Sequence, residues 1–269
     1  YRRGFFDDGS PLGSAANSEC RIDTIAQSWA VLSGAGKPER AAQALAEAHR
    51  QLVRPADGLA LLFTPPFDKS FPDPGYIRAY PPGIRENGGQ YSHGVIWEIF
   101  AHAQLGEAEK AFQLFSLLDP VNHARSEAET WRYKVEPYVI VADVYSVAPH
   151  TGQGGWTWYT GSASWMYRAG LEAILGIVRE GNMLRVKPCM PPEWNEFQVS
   201  LKYGATRHEI TVRRGSGAAT SSPQVQKISR SEYLIALQDK GGVVDIELAL
   251  EDRLKKLNVK EDRGNEAVA

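Results

Sequence analysis

The sequence predicts a mainly α-helical protein with a small β domain on its carboxyl-terminal side. Two observations predict this class. Apolar residues recur at helical spacing in several segments up to about residue 180, and short segments that alternate apolar and polar residues follow Gly181. The 269 residues are enough for one large domain or two smaller ones with a substantial core. We expect a helical part over residues 1–181, a β domain over 182–250 and a charged tail over 251–269.

Five helices are predicted from apolar periodicity and from the glycine and proline residues that bound them: 22–32, 41–53, 91–105, 108–118 and 161–179. Trp29 and Trp165 are assigned to the core-facing sides of the first and last of these helices. Residues 135–145 are apolar and suit either a helix or a strand. Successive helix pairs joined by long loops suit an α/α toroid, whose loops build a site at one end.

The β domain is predicted from five short alternating segments with turn residues between them: 183–187, 197–203, 208–213, 232–237 and 243–250. Strands in immediate succession favour antiparallel pairing. We therefore expect an antiparallel, sandwich-like domain after the helices.

Composition limits the classes of partner. The net charge of −2 argues against nucleic acid or an anionic membrane as the main partner. No apolar run reaches the roughly 18 residues of a membrane span, so we expect a cytoplasmic protein. Cys20 and Cys189 lie far apart and are expected to be reduced thiols. Because the first residue is Tyr1 rather than Met, we expect a fragment of a longer protein.

The first candidate site follows an aromatic run that ends at Thr160-Gly161, directly before a helix. A helix start carries unpaired N–H groups and partial positive charge, which suit phosphate. Trp156 and Tyr159 offer flat faces to a sugar, although the alternating spacing around Trp158 places at least one of the three aromatic rings in the core. An ordinary helix cap at Thr160 is the alternative, and the local sequence alone favours it.

The second candidate site is the polar, glycine-rich loop 82–93, which also leads into a helix. His93 can hold a phosphate oxygen as a cation or as an N–H donor. A packed, hydrogen-bonded histidine is the more common alternative. Arg85 and Glu86 can bind sugar hydroxyls through charge-assisted hydrogen bonds, and a salt bridge within the loop is an equally good interpretation.

Other chemistries have weak support. The sequence has no CxxC, no HExxH and no tight His/Cys cluster, so we expect no metal. Asp7 and Asp8 are adjacent and cannot straddle a substrate. Glu19 and Asp23 share a helix face and are interpreted as first-turn residues that face the helix dipole. No pair of carboxylates suggests a glycosidase.

Six segments, taken together, resemble the glycoside phosphorylases of glycoside hydrolase family 94. They are residues 1–9, 19–23, 25–34, 80–93, 133–138 and 154–165. The first segment is Tyr1-Arg2-Arg3-Gly4-Phe5-Phe6-Asp7-Asp8-Gly9, and the fourth ends with Arg85-Glu86-Asn87-Gly88-Gly89-Gln90-Tyr91-Ser92-His93. The likeness covers about residues 1–200 and is greatest to the C-terminal phosphorylase-like part of cyclic β-1,2-glucan synthases and to 1,2-β-oligoglucan phosphorylases. Cellobiose phosphorylases are further relatives.

The resemblance implies an (α/α)6 barrel followed by a β domain. It implies inverting phosphorolysis of a β-glucosidic bond, which releases α-glucose 1-phosphate, with inorganic phosphate as co-substrate and no other cofactor. His93, Thr160 and Gly161 correspond to phosphate-binding positions of the family. Arg85 matches a position that contacts the sugar on the leaving-group side.

One departure from the family pattern concerns the general acid, which in the family is an Asp of an Asp-Trp-Asn-Asp motif. The motif does not occur in this sequence. We therefore expect the acid and the residues that hold the reacting sugar upstream of Tyr1, assign no catalytic residue here, and expect the isolated chain to be inactive, because losing a general acid costs roughly 10²–10⁴-fold.

The expected partners are a β-glucan oligosaccharide and phosphate, with a homodimer or a second chain that completes the barrel. Full-length glucan synthases of this kind are membrane-bound, although no membrane segment is predicted here. Two alternatives stay open at this point. One is a non-catalytic carbohydrate-binding or assembly subunit. The other is an α/α-barrel hydrolase, for which Glu86 is the local candidate base.

Overall fold

The computed structural model describes residues 1–158, 160–215 and 222–251. The predicted sugar-binding residue Tyr159 lies outside the described residues, as does the predicted tail beyond Glu251. Within the described ranges, no helix is both long and apolar enough to cross a lipid bilayer.

Contacts between residues divide the chain into two units. Among the described residues, the helical unit contains those of 1–178 and 188–193, and the β unit contains 179–187, 194–215 and 222–251. The predicted class, helices accompanied by β-strands, is confirmed. Both cysteines are buried and neither forms a disulfide.

The helices are α1 (Thr24–Leu32), α2 (Pro38–Leu52), α3 (Ser92–Leu105), α4 (Ala108–Leu118), α5 (Glu127–Tyr133) and α6 (Ser162–Arg168), which continues as a π-helical segment over Ala169–Ile174. Three short 3-10 helices lie at Pro55–Asp57, Tyr76–Ala79 and Pro120–His123. Proline begins α2, where its missing N–H costs nothing. Gly106 ends α3 with a φ of 75°, a conformation that glycine adopts without strain.

α3 is the central helix of the helical unit and packs against α1, α2, α4 and α6. Its apolar residues Val95, Ile96 and Ile99 are fully buried. Two-residue strands join the loops around it: β1 (Gly4–Phe5), β2 (Pro11–Leu12), β3 (Ile22–Asp23), β4 (Val53–Arg54), β5 (Leu59–Ala60), β6 (Phe63–Thr64), β7 (Gln90–Tyr91) and β8 (Asp143–Val144). The interpretation of 135–145 as one regular helix or strand is wrong, since β8 is its only regular element.

The remaining strands are β9 (Ile177–Glu180), β10 (Met183–Val186), β11 (Glu196–Tyr203), β12 (Thr206–Arg214), β13 (Val225–Ser229), β14 (Glu232–Ala236) and β15 (Gly242–Leu250). They form one sheet in the order β13-β14-β10-β9 and another in the order β11-β12-β15. Burial alternates along β12, whose Ile210 and Val212 are buried, as expected of a strand with one covered face. The sequence analysis missed β9 and β13.

The expectation of purely antiparallel pairing is wrong for one pair. β12 and β15 run parallel, with Ile210 opposite Ile246. Parallel neighbours need a long crossover connection. Here the chain leaves β12, forms the antiparallel β13–β14 pair in the other sheet, and returns to β15 in its original direction.

The last predicted helix, 161–179, is shorter than expected. Helical structure ends at Ile174, and Gly176 follows with a φ of 65°. Glycine in this left-handed conformation commonly terminates a helix, so Val178 belongs to strand β9 and not to the helix face. Trp29 is also misassigned, because 42% of its surface is exposed and it meets Trp97 edge to face at 5.5 Å.

Glu19 and Asp23 do not share a helix face. Asp23 is the N-cap of α1 and accepts hydrogen bonds from the N–H groups of Ile25 and Ala26. Glu19 precedes the helix, and its carboxylate accepts backbone N–H bonds from residues 68–70 at 2.9–3.0 Å. Burial alone would raise the pKa of Glu19, but the Ser70 hydroxyl and these N–H groups outweigh burial and lower the pKa.

Candidate functional site

Both sequence-predicted loops are attached to one extended stretch, the central segment (residues 141–144). On one side, Gln90 and Tyr91 pair with its last two residues, and the Ser92 N–H donates to Ala142 O at 2.9 Å. On the other side, the Ala142 N–H donates to Trp156 O at 2.7 Å, and the Ser162 hydroxyl donates to Val141 O at 3.2 Å. The fold therefore brings the two candidate loops together around four residues.

His93 lies in the first turn of α3, next to the start of α6. A methyl carbon placed on Gly161 would lie 3.8 Å from Cε1 of His93. Nε2 of His93 is buried and has no hydrogen-bond partner within the protein. Burial lowers the pKa of His93. The imidazole is therefore neutral at pH 7, and it can act on a ligand as a hydrogen-bond donor rather than as a cation.

Indole rings hold the His93 imidazole in place. Its ring centroid lies 4.7 Å from that of Trp97 and 5.7 Å from that of Trp165. The two indoles meet each other nearly perpendicularly at 6.1 Å. This packing restricts the ring orientation through apolar contacts, and Cε1, which is bonded to the unpaired Nε2, is the ring atom within 4 Å of a Cβ placed on Gly161.

Thr160 precedes Gly161, which is the N-cap residue of α6 and has no side chain to cap the helix. The Thr160 Oγ1 accepts the Ser162 N–H at 3.1 Å and lies 2.6 Å from the Ser162 hydroxyl. Thr160 therefore satisfies one helix-start N–H, as the cap alternative expects, although it lies one residue before the N-cap position. The other N–H groups of the first helical turn have no intrahelical acceptor, and the absent side chain of Gly161 leaves them open to the space beside His93.

Arg85 and Glu86 form a second part of the site. Arg85 adopts a left-handed backbone with a φ of 49°. Its guanidinium carbon lies 5.2 Å from the Trp156 ring and 5.4 Å from the Tyr80 ring. Arg85 Nε and Glu86 Oε2 are 3.9 Å apart, which is too long for a hydrogen bond, and both atoms are buried without a partner. A salt bridge within the loop therefore does not satisfy the hydrogen-bonding capacity of Arg85 Nε and Glu86 Oε2.

Asp143 is a member of this region that the sequence analysis missed. It is fully buried, and its Oδ2 has no hydrogen-bond partner within the protein. Burial raises the pKa of Asp143, and the Trp156 N–H and the Arg85 guanidinium offset part of that rise. A lone aspartate within the apolar run 139–144 was the available signal, because such a residue needs a structural or chemical reason to be buried.

Two aromatic residues of the loop before α6, Trp156 and Trp158, do not form one flat surface on which a sugar could stack. Trp156, with 55% of its surface exposed, faces Arg85, whereas Trp158, at 69%, donates its indole N–H to Glu136 at 3.2 Å. Trp158 also meets Tyr138 edge to face at 6.1 Å. Trp156, a predicted sugar-stacking residue, thus has its ring exposed next to Arg85.

Comparison with known proteins identifies the family of this arrangement. The model of the glycosyl hydrolase 94 superfamily catalytic domain matches residues 1–176, which include every candidate residue above. The chain is 51% identical over 216 residues to the cyclic beta-(1,2)-glucan synthase NdvB of Rhizobium meliloti, covering 80% of this chain and 8% of that protein.

Phosphorylases are further relatives. The chain is 31% identical over 214 residues to the solabiose phosphorylase of Paenibacillus borealis, covering 79% of this chain and 27% of that protein. It is 30% identical over 220 residues to the N,N'-diacetylchitobiose phosphorylase of Vibrio furnissii, covering 81% and 27%. The chain thus spans less than a third of the length of these relatives. It belongs to the glycosyl hydrolase 94 superfamily.

Proposed function

We propose that this chain supplies the phosphate-binding part of a glycoside phosphorylase that acts on β-glucans, with β-1,2-linked glucan as substrate. The observation that carries the proposal is the unpaired, buried Nε2 of His93 next to Gly161. A neutral imidazole N–H and helix-start N–H groups are donors that suit phosphate oxygens. The relationship to a cyclic beta-(1,2)-glucan synthase supports the choice of glucan.

In the proposed reaction, a phosphate oxygen attacks the anomeric carbon while the glycosidic C–O bond breaks. An acid transfers its proton to the leaving oxygen, and a single displacement converts the β-bond into α-glucose 1-phosphate. His93 and the start of α6 hold the nucleophile. Arg85, Glu86 and Trp156 contact the leaving sugar, the first two through charge-assisted hydrogen bonds and the third by stacking. Tyr159 is proposed as a further sugar contact from its place in the aromatic run of the sequence.

The general acid is proposed to belong to a part of the parent protein outside this sequence. No Asp-Trp-Asn-Asp motif is present, and the match covers only 27% of the solabiose phosphorylase. We propose that α1–α4 and α6 are part of an (α/α)6 barrel that the rest of the parent, or a second chain, completes. The two sheets of the β unit are proposed to be the sandwich-like domain that follows the barrel.

Phosphate binding to the purified chain tests the site directly. Isothermal titration calorimetry should detect saturable binding of inorganic phosphate. His93→Ala should weaken it roughly 10–100-fold, because one hydrogen bond to a charged group is lost. His150→Ala, which changes an exposed histidine, is the control and should bind as the wild type does. Equal affinity in all three proteins would contradict the proposal.

Turnover by the purified chain tests where the acid resides. With β-1,2-glucan and phosphate, we expect no detectable glucose 1-phosphate, because loss of the acid alone costs roughly 10²–10⁴-fold. Release of glucose 1-phosphate would show that the chain contains its own acid. Release of reducing sugar without phosphate would instead support the hydrolase alternative, in which Glu86 or Asp143 acts as base.

A further inference from the structure

Three side chains of the helical unit, two of them buried and one partly buried, converge at a point that phosphate binding does not use. Their ligand atoms, His49 Nδ1, Glu98 Oε1 and His102 Nε2, all lie within 4.8 Å of one another. Each atom is buried and lacks a hydrogen-bond partner within the protein. The side chains of Glu98 and His102 are 1% and 0% exposed, and that of His49 is 16% exposed. Three buried polar atoms that face one another without hydrogen bonds lower the stability of the fold unless a ligand binds between them.

The spacing of these atoms suits ligands that share one ion. Glu98 Oε1 lies 3.6 Å from His49 Nδ1 and 3.5 Å from His102 Nε2. Ligands at about 2.0–2.1 Å from a tetrahedral zinc ion are separated by about 3.3–3.4 Å. Hydrogen-bonded nitrogen and oxygen atoms would be closer, at about 2.7–3.2 Å.

The second atom of each side chain is already held. His102 Nδ1 lies 2.6 Å from Glu107 Oε2, and His49 Nε2 lies 3.2 Å from Gln113 Oε1. These bonds place a proton on the outer nitrogen of each ring, which leaves the inner nitrogens free to donate a lone pair. Outer carboxylate and amide partners of this kind are typical of metal-bound histidines.

Glu98 is anchored in the same way. The Thr24 hydroxyl donates to its Oε2 at 2.5 Å, which leaves Oε1 facing the two imidazoles. The charge beside the site also favours a cation. Glu98 and Glu107 carry two negative charges, and Lys110, which pairs with Glu107 at 2.9 Å on the outer side of the network, offsets one of them. The carboxylate of Glu98 therefore provides an uncompensated negative charge at the site.

We infer that His49, Glu98 and His102 bind a divalent transition-metal ion of the zinc class. Two imidazole nitrogens and one carboxylate oxygen form a donor set that zinc accepts, with water as the usual fourth ligand. The ligands come from α2 and α3, and their outer partners come from α1 and α4. The ion therefore links α2 and α3 directly, and α1 and α4 through the hydrogen bonds of the outer partners.

The position of this site separates it from the proposed phosphate site. Both use α3, but an α-helix turns about 100° per residue, which places His102 on the side opposite His93. The ion is accordingly structural, and a chemical step on the sugar does not involve it. The sequence analysis missed the site because it searched for closely spaced ligands, whereas His49 belongs to a different helix. The i, i+4 pair Glu98 and His102 was the visible signal.

Metal titration of the whole chain tests this inference without any activity assay. After chelator treatment and dialysis, Zn²⁺ should bind with one-to-one stoichiometry by calorimetry, and Co²⁺ should give the visible absorption bands of a four-coordinate site. A Zn²⁺ concentration 100-fold above Kd should raise the Tm by roughly 5–10 °C.

Variants identify the ligands. Glu98→Gln preserves side-chain volume and should reduce Zn²⁺ affinity by more than 100-fold. Glu107→Gln changes a partly exposed outer partner, so folding is preserved, and should cost roughly 10–100-fold. Glu109→Gln, an exposed glutamate on the same helix α4, is the matched control and should bind as the wild type does. Absence of saturable Zn²⁺ and Co²⁺ binding, or equal affinity in all four proteins, would overturn the inference and assign the cluster as a buried ion pair.

Discussion

The helical unit and the β unit differ in how their buried polar atoms are paired. Among the described residues, twelve have a buried side-chain nitrogen or oxygen without a hydrogen-bond partner within the protein. Eleven belong to the helical unit and one, His208, to the β unit. Folded proteins rarely leave such atoms unpaired, because each costs stability. The difference supports the proposed ligand sites of the helical unit, whereas the described buried polar atoms of the β unit are nearly all paired within the protein.

Local contacts in the β unit show the contrast. The buried Tyr233 hydroxyl donates to Ala249 O at 2.6 Å. The buried Thr206 hydroxyl oxygen accepts the N–H groups of Lys240 and Gly241, each at 2.9 Å. Even His208 uses one ring nitrogen, since its Nε2 accepts the Gln238 N–H at 3.2 Å. Polar side chains of this unit therefore form hydrogen bonds with backbone groups at turns and strand ends.

The largest expected effect compares one histidine from each unit. His208→Ala should lower the free energy of unfolding by roughly 2–4 kcal/mol, because it opens a cavity and leaves the Gln238 N–H unpaired. His93→Ala should cost about 1 kcal/mol, because no hydrogen bond within the protein is lost. Urea denaturation followed by circular dichroism measures both. Equal losses would remove the distinction between the two units.

The next largest expected loss of stability comes from replacing one of two comparable glycines, Gly155 and Gly204, by alanine. A Cβ on Gly155 would lie 2.5 Å from the Asp143 carboxylate, and one on Gly204 would lie 2.1 Å from that of Asp239. Asp143 is fully buried and cannot move aside, whereas Asp239 is exposed. Gly155→Ala should therefore cost roughly 2–3 kcal/mol from overpacking.

Gly204→Ala should cost less in spite of its closer contact. The Asp239 side chain can move into solvent, which breaks the hydrogen bond that its Oδ1 accepts from the Ala205 N–H but leaves that N–H accessible to water. The other cost is the left-handed backbone of Gly204, whose φ is 57°. That conformation disfavours alanine by roughly 1–2 kcal/mol. Thermal unfolding of both variants measures the difference. A larger loss for Gly204→Ala would mean that the Asp143 carboxylate is not held in place.

The smallest effect concerns the pH dependence of stability. The folded-state pKa of Asp143 is raised, chiefly by burial. The folded state therefore holds this proton more tightly than the unfolded state, and stability falls as the pH rises from about 3.9 through the folded-state pKa. Asp143→Asn removes that loss. The variant should gain stability relative to the wild type as the pH rises from 4 to 7, in chemical denaturation at each pH. A constant difference across this range would contradict the assignment.

Features that depend on local sequence pattern, such as helices and their starting residues, were predicted from the sequence. His93 and Thr160-Gly161 were chosen as candidate residues because each lies at a polar loop that leads into a helix, and the structure places a helix start at both positions. Helices α2, α3 and α4 were predicted nearly to their ends. The helix after Gly161 was extended too far because apolar periodicity continued past Gly176, and periodicity alone does not distinguish a helix end from a following buried strand.

Residues whose position depends on tertiary contacts were missed. Asp143 acquires its environment from Arg85 and Trp156, which approach from two distant loops. His49 meets Glu98 only because α2 packs beside α3. The parallel partner of β12 likewise depends on where the chain returns after forming another sheet. The sequence signals at Asp143 and at the pair Glu98 and His102 do not identify the contact partners, because spacing along the chain does not report which faces meet.

The central segment restricts how this region can change during evolution. In a strand-like stretch, neighbouring side chains point to opposite sides, so that sliding the pairing by one position turns each side chain to the other face. If residues 141–144 slipped by one residue, the Asp143 carboxylate would leave its interior position and an apolar neighbour would take its place. Insertions or deletions within these four residues should therefore be rejected by selection, whereas the exposed turn at 147–151 can tolerate changes in length.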